Sequence, residues 1–472
     1  MGARKAAALL LPLLVCGCVA APPTTPQVTQ TDAAKLGLGA DPAPAADAAW
    51  WKAWHDAQAD RLAEKVLASN PSLQSALARI RAAQAELSVE RAASYPQVTL
   101  DGQEQRELFS NAYGYVSTYG GSWRWIGDVQ AHMSWSLDFW GKQQALIDRA
   151  RGLSVASALD AAAARLALSG MFAQTYINLS LAWQNLDIAR QTVTERQTIL
   201  ELTQSRVTAG LENEASLEQA KALLAMAHMQ VRRAEAERDM AVHAIAALAG
   251  EGAEHYADIS RPTLAVDAAL PLPGTLPADL LARRPDILAA QARIVAAMRG
   301  RDAAHADFYP NINLVAAIGF QSLALANLLS ASAFTTGVGP AIHLPIFDAG
   351  RLRAQYARAT ADLDGAVADY NGAITGAVRQ TADALTQVSS LSGQRGDQQK
   401  ALDAAGRALK LAEERYRLGL SGQIPMLTAE STLLTARQQM AALVADAASQ
   451  RVTLLLAVGG GFHPDTDKGA MP

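Results

Sequence analysis

Trp123 to Leu137 reads WRWIGDVQAHMSWSL, and its alternation decides what kind of fold surrounds it. Apolar residues occupy the odd positions: Trp123, Trp125, Val129, Ala131, Met133, Trp135 and Leu137. The even positions hold Arg124, Asp128, Gln130, His132, Ser134 and Ser136, with Ile126 the exception. A period of two is a strand signature, and this run far exceeds the usual strand of about 5–6 residues. Such length, with tryptophans near both ends, suits a tilted membrane strand, apolar outside and polar inside. Ile312, Leu314, Ala316, Ile318 and Phe320 make a second row. Phe334, Val338, Ile342, Leu344 and Ile346 make a third, and Val98, Leu100, Gln103 and Gln105 a weaker fourth. The expected strands are residues 97–107, 123–137, 311–321 and 334–346. Strand by strand, a half-buried sheet in a soluble domain would alternate in the same way; the flanking helices weigh against it.

Four strands cannot close a barrel, for which about eight is the practical minimum. An open sheet edge is not tolerated in lipid, so copies of the chain must combine. Two copies supply eight strands and three supply twelve; side chains nearly fill the smaller barrel, while the larger leaves a channel.

The chain is also written twice. Tyr95-Pro96-Gln97-Val98 recurs as Tyr309-Pro310-Asn311-Ile312, and LDFWGKQQA from Leu137 as IFDAGRLRA from Ile346. LTQSRVTAGL, ending at Leu211, recurs as LAEERYRLGL, ending at Leu420. The offset stays within 209–214 residues, a period that means two structural halves and not a solenoid. Each half reads as helix, strand, strand, long helix, turn, helix. Asn70-Pro71 is a helix start, with Asn as cap and Pro in the first turn. Phe172, Leu179, Leu186, Val193, Leu200 and Val207 fall seven apart. Val367, Tyr370, Ile374, Ala377, Thr381, Ala384, Val388 and Leu391 alternate three and four. These are coiled-coil seams. From Gly141 to about Val207 no proline interrupts the chain, and a helix of about 67 residues spans ~100 Å, too long for an ordinary globular bundle.

Arg4 and Lys5, the apolar run Ala6–Val15 and Gly17 form a signal peptide. Val15-Cys16-Gly17-Cys18 has lipobox form with Cys16 at its third position, which predicts acylation of Cys18, as by palmitate; an ordinary cleavable signal is the competing reading. Val19 after the cysteine favours the outer membrane, and the Pro/Thr-rich stretch Ala21–Pro26 suits a tether. No other segment reads as an apolar run of about 18 residues. Both cysteines lie in this leader, so none staples the fold. A net charge of −4 shows no basic excess, against nucleic acid as a partner. Half of the residues are apolar but only 6% aromatic, a mixture suited to long helices packed through small side chains. The eight histidines show no HExxH spacing, and neither a metal cluster, a phosphate loop nor a nucleophile elbow is present. No catalytic residue, cofactor or metal is therefore expected. Charge groups such as Glu413-Glu414 and Glu235/Glu237 with Arg232, Arg233 and Arg238 read as solvated faces.

These residues resemble the TolC-like outer-membrane efflux factors, specifically the NodT-type lipoproteins. Arg284-Pro285-Asp286-Ile287 and Phe308-Tyr309-Pro310 are the most specific motifs, and Trp50-Trp51 matches the N-terminal segment. The resemblance implies an α+β membrane protein: a homotrimer whose twelve-stranded transmembrane β-barrel continues as an α-helical coiled-coil tunnel through the periplasm. It implies docking to a periplasmic adaptor (membrane fusion protein) and, through it, to an inner-membrane pump, proton-driven. Arg206, Gly210 and Leu211, and Arg415, Gly419 and Leu420, match the tips where the family meets its adaptor. Trp123, Trp125, Trp135, Ile312, Leu314, Ile318, Phe334 and Ile342 would face outer-membrane lipid. The family often places an Asp six residues past each tip glycine; Ser216 and Pro425 stand there instead, which leaves an acidic gate in question. The implied layout is a signal peptide at 1–17, tether and equatorial segment at 18–57, first repeat at 58–261, linker at 262–284, second repeat at 285–458 and tail at 459–472. Two other readings stand beside small-molecule efflux: a type I secretion channel for polypeptides, and a coiled-coil envelope lipoprotein without a pore.

Overall fold

The computed structural model describes residues 24–44, 46–112, 119–265, 270–277 and 279–462. The signal peptide, Cys18 and the tail beyond Phe462 lie outside the described residues. The first half holds α1 (Ala57–Ser69), α2 (Pro71–Ala92), β1 (Gln97–Leu108), β2 (Trp123–Ser136), α3 (Lys142–Thr208) and α4 (Glu214–Leu248). After the four-residue α5 (Leu280–Arg283), the second half holds α6 (Pro285–Ala306), β3 (Asn311–Ser322), β4 (Phe334–His343), α7 (Arg351–Arg417) and α8 (Gln423–Ala457). The repeat is metrical as well as textual. α2 and α6 each have 22 residues, α3 and α7 each 67, and α4 and α8 each 35.

The boundaries follow from local chemistry. Asn70 ends α1 and starts α2: its Oδ1 accepts the amides of Ser72 at 2.9 Å and Leu73 at 3.4 Å, with Pro71 at the first helical position. α2 stops four residues before Pro96, whose ring disfavours helix in the preceding residue. α3 and α7 each follow a glycine with positive φ, Gly141 (72°) and Gly350 (90°).

The chain divides into two compact units, each drawn from both halves. One comprises the segment up to Gln30 with Ile80–Ser157 and Ala290–Tyr370. It contains the single sheet, order β1-β2-β3-β4, antiparallel throughout. At the helix-to-strand joints, indoles satisfy carbonyls: Trp135 Nε1 donates to Ser94 O at 2.9 Å, and Trp140 Nε1 to Pro310 O at 2.8 Å.

The other unit comprises Thr31–Arg79, Ala158–Ala289 and Asn371–Pro472. Its core gathers Trp50, Trp51 and Trp54 on Phe172, Tyr176 and Leu179 of α3, Ile245 of α4, and Val452 and Leu455 of α8. Asp56 ties this core together. It caps α1 through the amides of Gln58 and Ala59 and accepts Tyr176 Oη at 2.8 Å and Thr263 N at 2.7 Å. Burial pushes its pKa up, but these hydrogen bonds outweigh burial and hold the carboxyl below its ordinary value.

Three expectations need correction. The row seven apart on α3 is buried at Phe172, Leu179 and Leu186, but Val193, Leu200 and Val207 are only half-buried. Beyond Leu186 the buried line steps by three residues to Ala189 and continues seven apart through Arg196 and Thr203, flanked by buried Thr192 and Ile199. Secondly, β4 ends at His343, so Leu344 and Ile346 lie outside the strand. Thirdly, α3 and α8 are long and apolar enough to cross a membrane by length and composition. Their apolarity has another use, since Phe172, Ile177, Leu179, Val452 and Leu455 fill the core around the tryptophans.

Candidate functional site

Register turns the alternation of the strands into two chemical faces. Val129 of β2 stands between Gly102 and Phe320, Ala131 between Leu100 and Ile318, and Met133 between Val98 and Ala316. Phe320 pairs onward with Phe334, Ala316 with Val338, and Ile312 with Ile342. One face of the sheet is therefore apolar from edge to edge. It carries every residue expected outside the barrel: Trp123, Trp125, Trp135, Ile312, Leu314, Ile318, Phe334 and Ile342. The opposite face presents Thr99, Asp101, Gln103, Asp128, Gln130, His132, Ser134, Asn313 and Gln321. Polar departures on the apolar face include Thr336 of β4, opposite Ile318, and on β1 Glu104 and Arg106, which follow Gly102. Arg106 is placed with its guanidinium 5.7 Å and 6.0 Å from the ring centroids of Trp123 and Trp125. A cation held against interfacial tryptophans fits the boundary between apolar and wet surroundings.

Among the described residues, β1 and β4 each pair on one side only. An exposed twelve-residue edge beside an apolar face calls for another strand. Pro340 lies in β4, an edge strand of the chain, where proline is tolerated.

The two glycine turns are the same device built twice. Gly210 N donates to Val207 O at 2.9 Å and Leu211 N to Arg206 O at 2.8 Å; Gly419 N donates to Tyr416 O at 3.0 Å and Leu420 N to Arg415 O at 2.8 Å. This paired arrangement requires a left-handed residue at the helix end, and Gly210 and Gly419 supply φ of 72° and 73°. Neither glycine's missing Cβ would meet a neighbour within 4 Å, so backbone conformation alone selects glycine there. Leu211, Leu418, Leu420 and Ile424 are all exposed, leaving apolar side chains on both turns. Where the family carries Asp, Ser216 bonds Glu212 Oε1 at 3.0 Å, and Pro425 lies in the first turn of α8.

The two arginines of the repeat do different things. Arg415 is exposed. Arg206 is turned inward: its guanidinium lies 4.7 Å from the centroid of the Tyr416 ring and donates to Tyr416 O at 3.1 Å. Thr203 Oγ1 and Tyr416 Oη are 3.4 Å apart, and Gln423 Nε2 donates to Thr203 Oγ1 at 3.0 Å. The tip motifs do not include Tyr416; its one signal in the sequence is an aromatic at the position where the first half has Val207.

Arg284-Pro285-Asp286 is a clamp. Arg284 meets Asp286 through two parallel bonds of 3.1 and 2.8 Å, and its Nη1 donates to Ala457 O at the end of α8 and to Gln380 Oε1, each at 3.0 Å. Burial raises the Asp286 pKa, but Arg284 more than reverses it, and the carboxyl stays below its ordinary value. Tyr309 stacks on Trp140 at 4.9 Å, so both family motifs serve packing.

A family model described as outer membrane efflux protein matches residues 62–251 and 276–460. The chain is 32% identical over 471 residues to outer membrane protein OprJ of Pseudomonas aeruginosa, covering 96% of this chain and 95% of OprJ. It is 35% identical over 371 residues to fusaric acid resistance protein FusA of Burkholderia cepacia, covering 76% of this chain and 70% of FusA. Among solved structures, the outer membrane protein VceC of Vibrio cholerae matches with a TM-score of 0.82 at 32% identity, covering 89% of this chain and 100% of VceC.

Proposed function

This chain belongs to the outer membrane efflux protein family, and from that premise we propose that three copies of it build the exit duct of a single pump. It is an outer-membrane efflux channel with a helical periplasmic part. Family members are trimeric channels of tripartite pumps, working with an adaptor and an inner-membrane pump. In our reading this chain is a homotrimer, its adaptor is a membrane fusion protein, and its pump is proton-driven. The two-faced sheet with two unpaired edges carries the reading. Three such sheets joined edge to edge give twelve strands, an apolar band towards lipid and a polar, water-filled lumen.

Its cargo, in this reading, is small and toxic, on the pattern of a relative named for fusaric acid resistance. A polar wall without a binding constellation conducts passively, so selection falls to the pump. The exposed leucines of the turns, with Gly210, Gly419 and Arg415, form the adaptor contact, and Arg206 shapes that surface from behind. Acylated Cys18 anchors the assembly to the outer membrane. Native mass spectrometry in mild detergent is expected to give three times the mature mass, and deletion of the gene is expected to sensitise the cell to small toxic compounds. A monodisperse monomer with full sheet content and unchanged susceptibility on deletion would refute the proposal.

A further inference from the structure

Within the second compact unit, α3, α7 and α8 meet through an apolar cluster that includes Ile199, Leu409, Leu427 and Leu433. Ionisable side chains stand in the same seam. Arg196 of α3 and Glu430 of α8 are 7% and 2% exposed, with Arg196 Nε 2.9 Å from Glu430 Oε1. The pair is close but badly aligned. Both oxygens of Glu430 and Nη1 of Arg196 are buried without a hydrogen-bond partner. A buried charge in that condition is costly, because its attraction to one partner does not replace the water it has lost.

The groups facing Glu430 come from all three helices: Arg196 and Glu195 from α3, Glu413 from α7, and Arg437 from α8 itself. Arg437 is already engaged, its Nη1 donating to Glu195 Oε1 at 2.9 Å. Arg417 partly offsets the charge of Glu413 but is exposed and is not among the groups that act on Glu430. Three carboxylates thus share two buried or half-buried guanidiniums, so the seam is one proton short of neutrality when all are ionised. The Glu413 carboxyl, read from sequence as part of a solvated face, is half-buried and raised in pKa by burial and by Glu195.

We propose that Glu430 takes up the missing proton and acts as an acid-tightened lock between α3 and the α7–α8 hairpin. With the proton bound, the seam is neutral and packs; without it, an unmatched negative charge sits between the helices and weakens their hold. The titration agrees with the geometry. Burial, opposed by Arg196 and reinforced by Glu195 and Glu413, pushes Glu430 up from 4.5 to about 7. The packed state therefore binds the proton more tightly than a loosened state in which Glu430 meets water. Packing is strongest below about pH 4.5, weakens by up to about tenfold per pH unit between the two values, and is weakest above about pH 7. The inference rests on helix packing and is independent of what the duct carries.

The test is hydrogen–deuterium exchange on the purified full-length assembly in detergent, from pH 5.5 to 8, corrected for the intrinsic pH dependence of amide exchange. Residues 190–208 and 423–437 are expected to lose protection by roughly thirtyfold across that range, while the strands keep theirs. Glu430→Gln is expected to hold the acid-level protection at every pH. Glu413→Gln, which removes a neighbouring negative charge and leaves the pair in place, is expected to move the wild-type transition to lower pH. Protection that does not change with pH in the wild type overturns the lock. So does a transition that survives Glu430→Gln, or one that Glu413→Gln leaves unmoved.

Discussion

Val129 and Gln130 are adjacent in β2 but project to opposite faces of the sheet, so one substitution placed at each tests the face assignment directly. Val129 lies midway between Trp123 and Trp135, between Gly102 and Phe320 in register. Twelve residue steps between the tryptophans span ~40 Å along the strand. A tilt of about 40° lowers that to ~30 Å of height, the thickness of an apolar core. Val129→Arg therefore puts a guanidinium near the bilayer midplane, at a cost of about 2–4 kcal/mol per chain. Three chains in one barrel suffer it together, about 6–12 kcal/mol per assembly if the costs add. Gln130→Arg points the same group at the lumen, opposite Asp101, where water and a carboxylate meet it. The assay is the abundance of heat-modifiable trimer in outer-membrane fractions, read with drug susceptibility of the same strain. Val129→Arg is expected to lower trimer and resistance together by at least tenfold, while Gln130→Arg keeps normal trimer. Equal abundance of the two variants, or the reverse order, refutes the assignment of faces.

Gly419→Val forces a β-branched residue into positive φ, a strain of ~1–3 kcal/mol confined to the turn; export should fall with trimer abundance unchanged, and full export at normal abundance would remove the turn from adaptor docking. Asp56→Asn should cost about 2 kcal/mol at neutral pH through weakened bonds to Thr263, Tyr176 and the α1 amides. Because the folded pKa is depressed, the wild type's advantage should persist above about pH 4 and shrink as pH falls further, as thermal melts of the two proteins would show; a gap independent of pH would contradict this. Cys18→Ala should abolish labelling by a palmitate analogue, and a mature N-terminus without lipid in the wild type would exclude the anchor.

What the sequence made legible was whatever repeats along the chain. Alternation in 123–137 is a local property of a strand, and the structure orders it into one apolar face because register preserves parity across antiparallel neighbours. The glycines of the turns were legible for a similar reason, since a left-handed helix end narrows the choice of residue at one position. Features set by lateral packing were hidden. Nothing local distinguishes Arg206 from Arg415, yet one lies under Tyr416 and the other faces solvent.

Glu430 is the sharper case. In sequence it is one acid among many on a long helix, and its surroundings come from Arg196, Glu195 and Glu413, each more than fifteen residues away. The only trace left in the one-dimensional pattern is that Arg196 falls in line with Ala189 and Thr203, seven residues from each, where a coiled-coil seam would otherwise continue with a small or apolar side chain. A charged residue at such a position lowers stability unless a partner meets it, and in coiled coils such residues fix register at that expense. Here the partner stands on the other half of the repeat. The buried pair therefore does for the two halves what an apolar contact could not: it makes their packing depend on a proton.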